Sequence, residues 1–129
     1  MTQTDVSPRV LPRLVAFDLD DTLAPSKSAM PPAMATALRR LLDVVPVCII
    51  SGGQVGQFRD QVLAHLDADA DELSRLHLMP TCGTRYYTYD PSRAERDEDA
   101  WTLVYANDLT PEQIRTCLLY TSPSPRDGL

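Results

Sequence analysis

An apolar run that ends abruptly in acidic residues constrains this chain more than any other feature. The run begins at Leu14 as Leu-Val-Ala-Phe, which suits a buried β-strand, and Asp-Leu-Asp-Asp-Thr-Leu follows it directly. In an open α/β sheet, ligands bind in the crevice outside the carboxyl ends of the strands. The sequence therefore predicts that Asp18, Asp20 and Thr22 lie at a functional site.

Strand and helix signals alternate along the residues that follow. A helix is predicted after Pro31 and Pro32, a second strand over 44–50, a second helix from Gln54 and a third, shorter strand over 76–80. This β-α-β-α-β alternation predicts an α/β fold with a parallel sheet.

A Ser-Gly-Gly turn separates the second strand from the second helix. This order of strand, glycine-rich turn and helix directs backbone N–H groups at an anion. The Ser51 hydroxyl and the amides of Gly52 and Gly53 would offer neutral donors to phosphate oxygens. Such a tripeptide is also ordinary turn chemistry, and only its position after an apolar strand favours the phosphate-binding interpretation.

The spacing of the two acids would allow each carboxylate to have a different chemical role. Residues two apart on a strand point to the same side, so Asp18 and Asp20 share a face while Leu19 turns into the core. One carboxylate can stay ionised as a nucleophile or metal ligand. The other, partly desolvated and near like charge, would have a raised pKa and serve as acid and then base. Mg²⁺ would hold a phosphoryl group against Asp18. The Thr22 hydroxyl would steady the loop, and Thr22 is expected to belong with Ser51, Gly52 and Gly53 to the phosphate-binding residues.

A calcium loop is the main alternative for this acidic turn. An EF-hand requires glycine at its sixth position and glutamate at its twelfth. Counting from Asp18 gives Leu23 and Ala29 at those positions, so the phosphate-transfer interpretation is favoured.

The composition limits the class of protein and its partners. With 43% apolar residues, 129 residues can bury one core of ordinary size, so the chain is one domain or a piece of a larger one. A net charge of −6 without a basic run argues against nucleic acid as a partner. No signal-peptide pattern or membrane-spanning stretch occurs, so we expect a cytoplasmic protein without membrane contact. Cys48, Cys82 and Cys117 form no C-x-x-C pair and are expected to be reduced thiols.

The C-terminal part of the sequence changes character. Extended segments are predicted over 85–89 and 101–106, and Thr110-Pro-Glu-Gln has the spacing of a capping box at the start of a helix. That helix has no periodic continuation after Leu119, so a disordered tail is expected over 118–129. The stretch from Cys117 to Asp127 resembles a non-native tail that recurs on truncated open reading frames.

Two of these segments resemble the motifs of a known family. The stretch Phe17-Asp-Leu-Asp-Asp-Thr-Leu resembles the first motif, D-x-D-x-T, of the haloacid dehalogenase-like (HAD-like) hydrolases, and 47–51 resembles their second motif. The resemblance implies a Rossmann-like three-layer core with a parallel sheet. It also implies Asp18 as nucleophile, Asp20 as general acid/base that gives its backbone carbonyl to Mg²⁺, and Ser51 as phosphate ligand. Cys82-Gly83, before an extended segment, is similar to type IIB members with an α/β cap, including sugar phosphatases and phosphomannomutases.

The sequence departs from the family pattern in its second half. The family has a lysine after the cap and then a strand ending in acids, whereas Lys27, the only lysine here, precedes the second motif. The acidic run 97–99 is better explained as a solvent-facing segment. We therefore expect the first half of such an enzyme, divided into a flexible N-terminus (1–13), a HAD-like core (14–94), the beginning of a cap (95–117) and a tail (118–129). The first strand would then be an exposed edge, which predicts marginal folding or aggregation.

The residues and the resemblance together predict a Mg²⁺-dependent phosphohydrolase. Its substrate would be a small phosphorylated metabolite, such as a sugar phosphate, cleaved through an aspartyl-phosphate intermediate. One alternative is a phosphomutase that uses the same site, and another is a catalytically inactive fragment or a phosphate- and metal-binding module. The sequence does not specify the oligomeric state.

Overall fold

The structure is a computed structural model that describes residues 11–93 and 100–121. In chain order its strands and helices are β1 (Val15–Asp18), α1 (Pro32–Leu42), β2 (Val47–Ile50), α2 (Val55–Phe58), α3 (Ala64–Leu66), α4 (Ala70–Leu73), β3 (Leu76–Met79), β4 (Arg85–Tyr89), β5 (Trp101–Ala106) and α5 (Pro111–Thr121). None of the described helices is long and apolar enough to cross a membrane.

The five strands form one sheet in the order β1-β2-β3-β4-β5. The first three strands are parallel, and Asp18 pairs with Ile50, which pairs with Met79. The predicted parallel arrangement is therefore confirmed for these strands. β4 and β5 continue the sheet in antiparallel orientation. The segment 101–106, expected at the beginning of a cap, thus lies in the same sheet as β1, while the domain boundaries themselves stay a prediction.

The core lies between one face of the sheet and the helices over 32–66. Alternate strand residues point to this face and are buried, among them Val47, Ile49, Leu76 and Leu78. The amphipathic helix α1 covers them with one apolar stripe, which includes Leu38 and Leu42. We call this the helix side of the sheet.

The opposite face of the sheet is covered much less in the described residues. Ile50 is 36% exposed, and Ala16 and Asp18 are also exposed on this face. An apolar depression of about 270 Å³ lies here as well, lined by Leu14, Cys48, His77, Met79, Tyr86 and Tyr105. We call this face the open side. β1 forms one edge of the sheet, as expected. The tendency to aggregate that such an edge predicts stays a prediction.

The predicted second helix forms and contains an irregular turn. α2 continues into a π-helical turn over Arg59–Leu63 and then into α3, without an interruption. The helical spacing of Val55, Phe58, Val62 and Leu66 predicts one apolar face. Phe58, Val62 and Leu66 are buried, whereas Val55 is only partly buried. Gln61, inside the π-helical turn, is buried as well.

The predicted capping box at the last helix is also confirmed. The Gln113 N–H donates to Thr110 Oγ1 at 3.1 Å, and the Thr110 N–H donates to the Gln113 side chain at 2.8 Å. α5 runs to Thr121, beyond the predicted limit at Leu119, and Pro123 follows two residues later. The rest of the predicted tail, 122–129, and the acidic run 97–99 lie outside the described residues.

Candidate active site

A depression of about 410 Å³ opens at the carboxyl ends of β1 and β2. It brings together the first predicted acid and two residues of the Ser-Gly-Gly turn, because the parallel pairing of β1 with β2 ends both strands at the same edge. Its lining residues are Ala16, Phe17, Asp18, Ile50, Ser51, Gly52 and Cys82. The depression lies where an open α/β sheet binds its ligands.

The Ser-Gly-Gly turn is fixed by hydrogen bonds to the turn after β3. The Ser51 carbonyl accepts from the Cys82 N–H at 2.9 Å, and the Gly53 carbonyl accepts from the Thr81 N–H at 2.8 Å. The Gly53 N–H donates to Ser51 Oγ at 3.2 Å. Since this bond uses a lone pair of Ser51 Oγ, the hydroxyl hydrogen is left for a ligand. The Gly53 amide, a predicted phosphate donor, donates its hydrogen bond within the turn instead. Gly53 also does not line the depression.

Cys82 lines this depression, although the sequence pattern predicts only a reduced thiol at this position. It is exposed, it has a left-handed backbone with φ of 58°, and its Sγ lies 3.5 Å from the position of a Cβ built on Gly52. Its place directly after β3 was the sequence signal that it would reach the carboxyl edge of the sheet.

The prediction that Asp18 and Asp20 share a face is wrong, because β1 ends at Asp18 and the strand alternation does not continue to Asp20. Asp18 is exposed in the depression, and no hydrogen bond among the described residues uses its carboxylate. Leu19 is fully buried, as predicted. Asp20 is half-buried behind it and turns toward the helix side. The two carboxylates are therefore not equivalent, as two different chemical roles for them would require.

Both oxygens of the Asp20 carboxylate accept hydrogen bonds. Oδ1 accepts from the Lys27 backbone N–H at 3.0 Å and from Gln61 Nε2 at 3.3 Å. Oδ2 accepts from Gln57 Nε2 at 3.0 Å. Neither glutamine could be recognised from the sequence, because at helical spacing both look like ordinary solvent-facing residues.

These donors change the expected electrostatics of Asp20. The Lys27 N–H, followed by the amides of Gln61 and Gln57, holds the pKa of Asp20 below its ordinary value, against the opposing effect of burial. The sequence analysis predicted a raised pKa for one of the two acids, from desolvation and like charge. For Asp20 that prediction is wrong, since hydrogen bonds to the charged form outweigh desolvation.

Thr22 lies apart from the main depression. Its side chain is exposed, and it lines a different apolar hollow of about 130 Å³ against α1, together with Phe17 and Leu23. Its N–H donates to the Leu19 carbonyl at 3.3 Å. The structure therefore does not bring Thr22 to Asp18 and Ser51, and its role in phosphate binding stays a prediction.

The oxygen ligands at this edge of the sheet suit a hard cation that takes few of its ligands from the protein. No group of three or more His, Cys, Asp or Glu side chains able to hold a metal occurs in residues 11–93 and 100–121. Mg²⁺ needs only one or two protein carboxylates and completes its shell with water and phosphate oxygens. The exposed Asp18 carboxylate fits that role. The Asp20 side chain is occupied by protein donors, so its backbone carbonyl is the better candidate ligand.

Arg85, at the start of β4, is bound to Asp108. Its Nε and Nη2 donate to the two oxygens of Asp108 at 3.1 and 2.6 Å. This pair lowers the pKa of Asp108 and raises that of Arg85. Both residues line a hollow of about 330 Å³ beside the turn after β3, with Gln54 and Thr81 also in its wall.

Solved structures with a similar fold include a nucleotidase. The IMP-nucleotidase of Plasmodium falciparum matches with a TM-score of 0.61 at 14% identity, over 82% of this chain and 31% of that chain. A structure from Eubacterium rectale matches with a TM-score of 0.58 at 18% identity, over 83% of this chain and 36% of that chain. The IMP-bound, N-terminally truncated form of the Plasmodium enzyme matches with a TM-score of 0.54 at 15% identity, over 82% of this chain and 32% of that chain. No protein-family model matches the sequence, and neither does any curated protein.

These likenesses show the fold. The described residues have a Rossmann-type α/β core, as predicted, and the chain spans about a third of the length of the solved structures that it matches.

Proposed function

We propose that the protein containing this chain is a Mg²⁺-dependent phosphohydrolase that cleaves small phosphomonoesters, such as sugar phosphates, through an aspartyl-phosphate. The observation that carries the proposal is the depression at the carboxyl edge of the sheet, which is lined by the exposed Asp18, the buried Ser51 and the exposed Gly52. The fold supports it, since a similar core occurs in a nucleotidase of which an IMP-bound form is known.

In the first step, a carboxylate oxygen of Asp18 attacks the phosphorus atom of the substrate. The bond from phosphorus to the ester oxygen breaks. Asp20, which must first take up a proton against the hydrogen bonds that lower its pKa, gives that proton to the departing alkoxide. In the second step a water molecule attacks the phosphorus of the aspartyl-phosphate and gives a proton to Asp20. Inorganic phosphate leaves, and the carboxylate of Asp18 is restored.

The Ser-Gly-Gly turn would stabilise the charge on the phosphoryl oxygens. The Ser51 hydroxyl hydrogen is available, since its oxygen already accepts from Gly53. None of the backbone hydrogen bonds found in turns and loops of the described residues uses the Gly52 N–H. Both are neutral donors on a turn fixed from behind, so they need little reorganisation when charge develops. When bound, Mg²⁺ would supply charge neutralisation at the phosphoryl group, with the Asp18 carboxylate and the Asp20 carbonyl as its ligands.

A phosphate- and metal-binding module is the second candidate. It is favoured by the short span of the chain, which matches about a third of each similar structure, and by the lack of a third acidic ligand in the described residues. Such a module would keep affinity for Mg²⁺ and phosphate without turnover.

Phosphate release from a panel of sugar phosphates and IMP, with Mg²⁺ and after its chelation, distinguishes the two candidates. Release that depends on Mg²⁺ and disappears in Asp18→Asn supports the hydrolase. Asp60→Asn is the matched control, because it makes the same change at an exposed position of the π-helical turn. Calorimetric binding of Mg²⁺ and inorganic phosphate without any release would favour the module.

A further inference from the structure

Asp20 is held by two side chains of one helix. Gln57 and Gln61 lie four residues apart, on α2 and on the π-helical turn that continues it. Gln57 Nε2 donates to Oδ2 of Asp20, and Gln61 Nε2 donates to Oδ1. Residues at this spacing share a helix face, so one rigid element supports both oxygens of the carboxylate.

Gln61 also fixes the loop that follows Asp20. Its Nε2 lies 2.8 Å from the Ser28 carbonyl and 3.5 Å from that of Pro25, and its own backbone carbonyl accepts from the Met30 N–H at 2.8 Å. The same loop presents the Lys27 N–H to Asp20. The helix, the loop and the carboxylate are thus connected in one network.

The burial of Gln61 is not explained by packing. Gln61 is 4% exposed, and its Oε1 is buried without a hydrogen-bond partner among the described residues. A buried polar atom without a partner is unfavourable, and a methionine of similar volume would avoid that penalty. The favourable contribution of the Gln61 amide therefore comes from the groups that its Nε2 contacts. π-helical turns of this kind occur frequently at functional sites.

We propose that Gln57 and Gln61 are positioning residues that hold the Asp20 carboxylate in one orientation for proton transfer. The inference rests on the proposed function, because it assigns Asp20 the proton donated to the leaving group. A donor displaced by about 1 Å can cost roughly a hundredfold in rate, so a fixed carboxylate matters. Neither glutamine touches the reacting phosphorus in this assignment, and each acts through Asp20.

Leaving-group dependence separates a positioning role from a structural one. An alkyl phosphate leaves as a basic alkoxide that needs a proton, whereas p-nitrophenyl phosphate leaves as a weakly basic phenolate. In Gln57→Met we expect kcat for a hexose phosphate to fall about tenfold to a hundredfold with KM unchanged, and kcat for p-nitrophenyl phosphate to fall less than about threefold. Gln54→Met, at the residue before α2, should leave both rates unchanged, because no hydrogen bond joins Gln54 to Asp20 in the described residues. Equal losses on both substrates would overturn the proposal.

A second measurement needs no turnover. Three-bond NMR couplings of the Asp20 side chain report whether it occupies one χ1 rotamer. We expect a single rotamer in the unmodified protein, and averaged couplings in Gln57→Met and in the double variant with Gln61→Met. If the double variant does not fold, the single variant Gln57→Met is decisive, because a substitution at the half-buried Gln57 disturbs the fold less. Averaged couplings in the unmodified protein, or a fixed rotamer in folded variants, would overturn the positioning role. Absent phosphate release with the expected couplings would overturn the proposed function alone.

Discussion

The helix side and the open side of the sheet differ in what the chain itself provides, and the two aspartates divide between them. On the helix side, the strand residues are packed under α1 to α3, and Asp20 turns toward this side, where the glutamines and the Lys27 N–H hold it. On the open side Ile50 stays 36% exposed, and Asp18 ends in a depression without a protein partner among the described residues. The chain supports one carboxylate internally and leaves the other to a ligand.

The largest effect is expected from Asp18→Asn, on the open side. The amide keeps the size of the side chain but removes the nucleophilic oxygen charge, so phosphate release should fall roughly a thousandfold or more. Because Asp18 has no protein partner among the described residues, the midpoint of thermal unfolding should change little. A large loss of stability in this variant would mean that Asp18 also supports the fold.

The next effect is structural and compares two neighbouring residues of β2. Ile49 is fully buried on the helix side, so Ile49→Ala should cost about 2–5 kcal/mol of unfolding free energy. Ile50 is partly exposed on the open side, so Ile50→Ala should cost less than about 1.5 kcal/mol. Urea denaturation of both variants measures the difference. Equal costs would show that something covers the open side in solution.

The strands and the acidic turn could be predicted because their signals are local. The buried Leu19, the apolar face around Phe58 and the capping box at Thr110 each follow from spacing within a few residues, and all are confirmed. The depression at Asp18 and Ser51 follows from the parallel order of the strands, which the alternation of strand and helix signals also gave.

The support of Asp20 could not be predicted, because it depends on contacts distant in sequence. Gln61 lies forty-one residues from Asp20, in a π-helical turn that the sequence pattern does not indicate. The prediction of a raised pKa for one of the two acids considered only desolvation and the nearby like charge. Neither effect takes account of the Lys27 N–H, whose position depends on the folded loop.

A smaller effect is expected from crowding the Gln57 side chain. A Cβ at Gly53 would collide with the Gln57 amide, including its Cδ at 2.6 Å, so Gly53→Ala should displace that amide from Asp20 Oδ2. We expect kcat for a hexose phosphate to fall about tenfold, with the loss concentrated on alkyl substrates. Gly56→Ala is the matched control, since a Cβ there meets nothing within 4 Å. Equal rates in the two variants would show that Gln57 can move without consequence.

The smallest effect concerns the pH dependence of stability on the helix side. The pKa of Asp20 is lowered in the folded state, chiefly by the Lys27 N–H, so ionised Asp20 stabilises the fold above its unfolded pKa. That contribution is lost as the pH falls below about 4 and through the lower folded value. The unfolding free energy, measured without metal, should therefore decrease less steeply below about pH 4 in Asp20→Asn than in the unmodified protein. Asp60→Asn corrects for the loss of one negative charge, and parallel profiles in all three proteins would mean that the hydrogen bonds to Asp20 do not persist in solution.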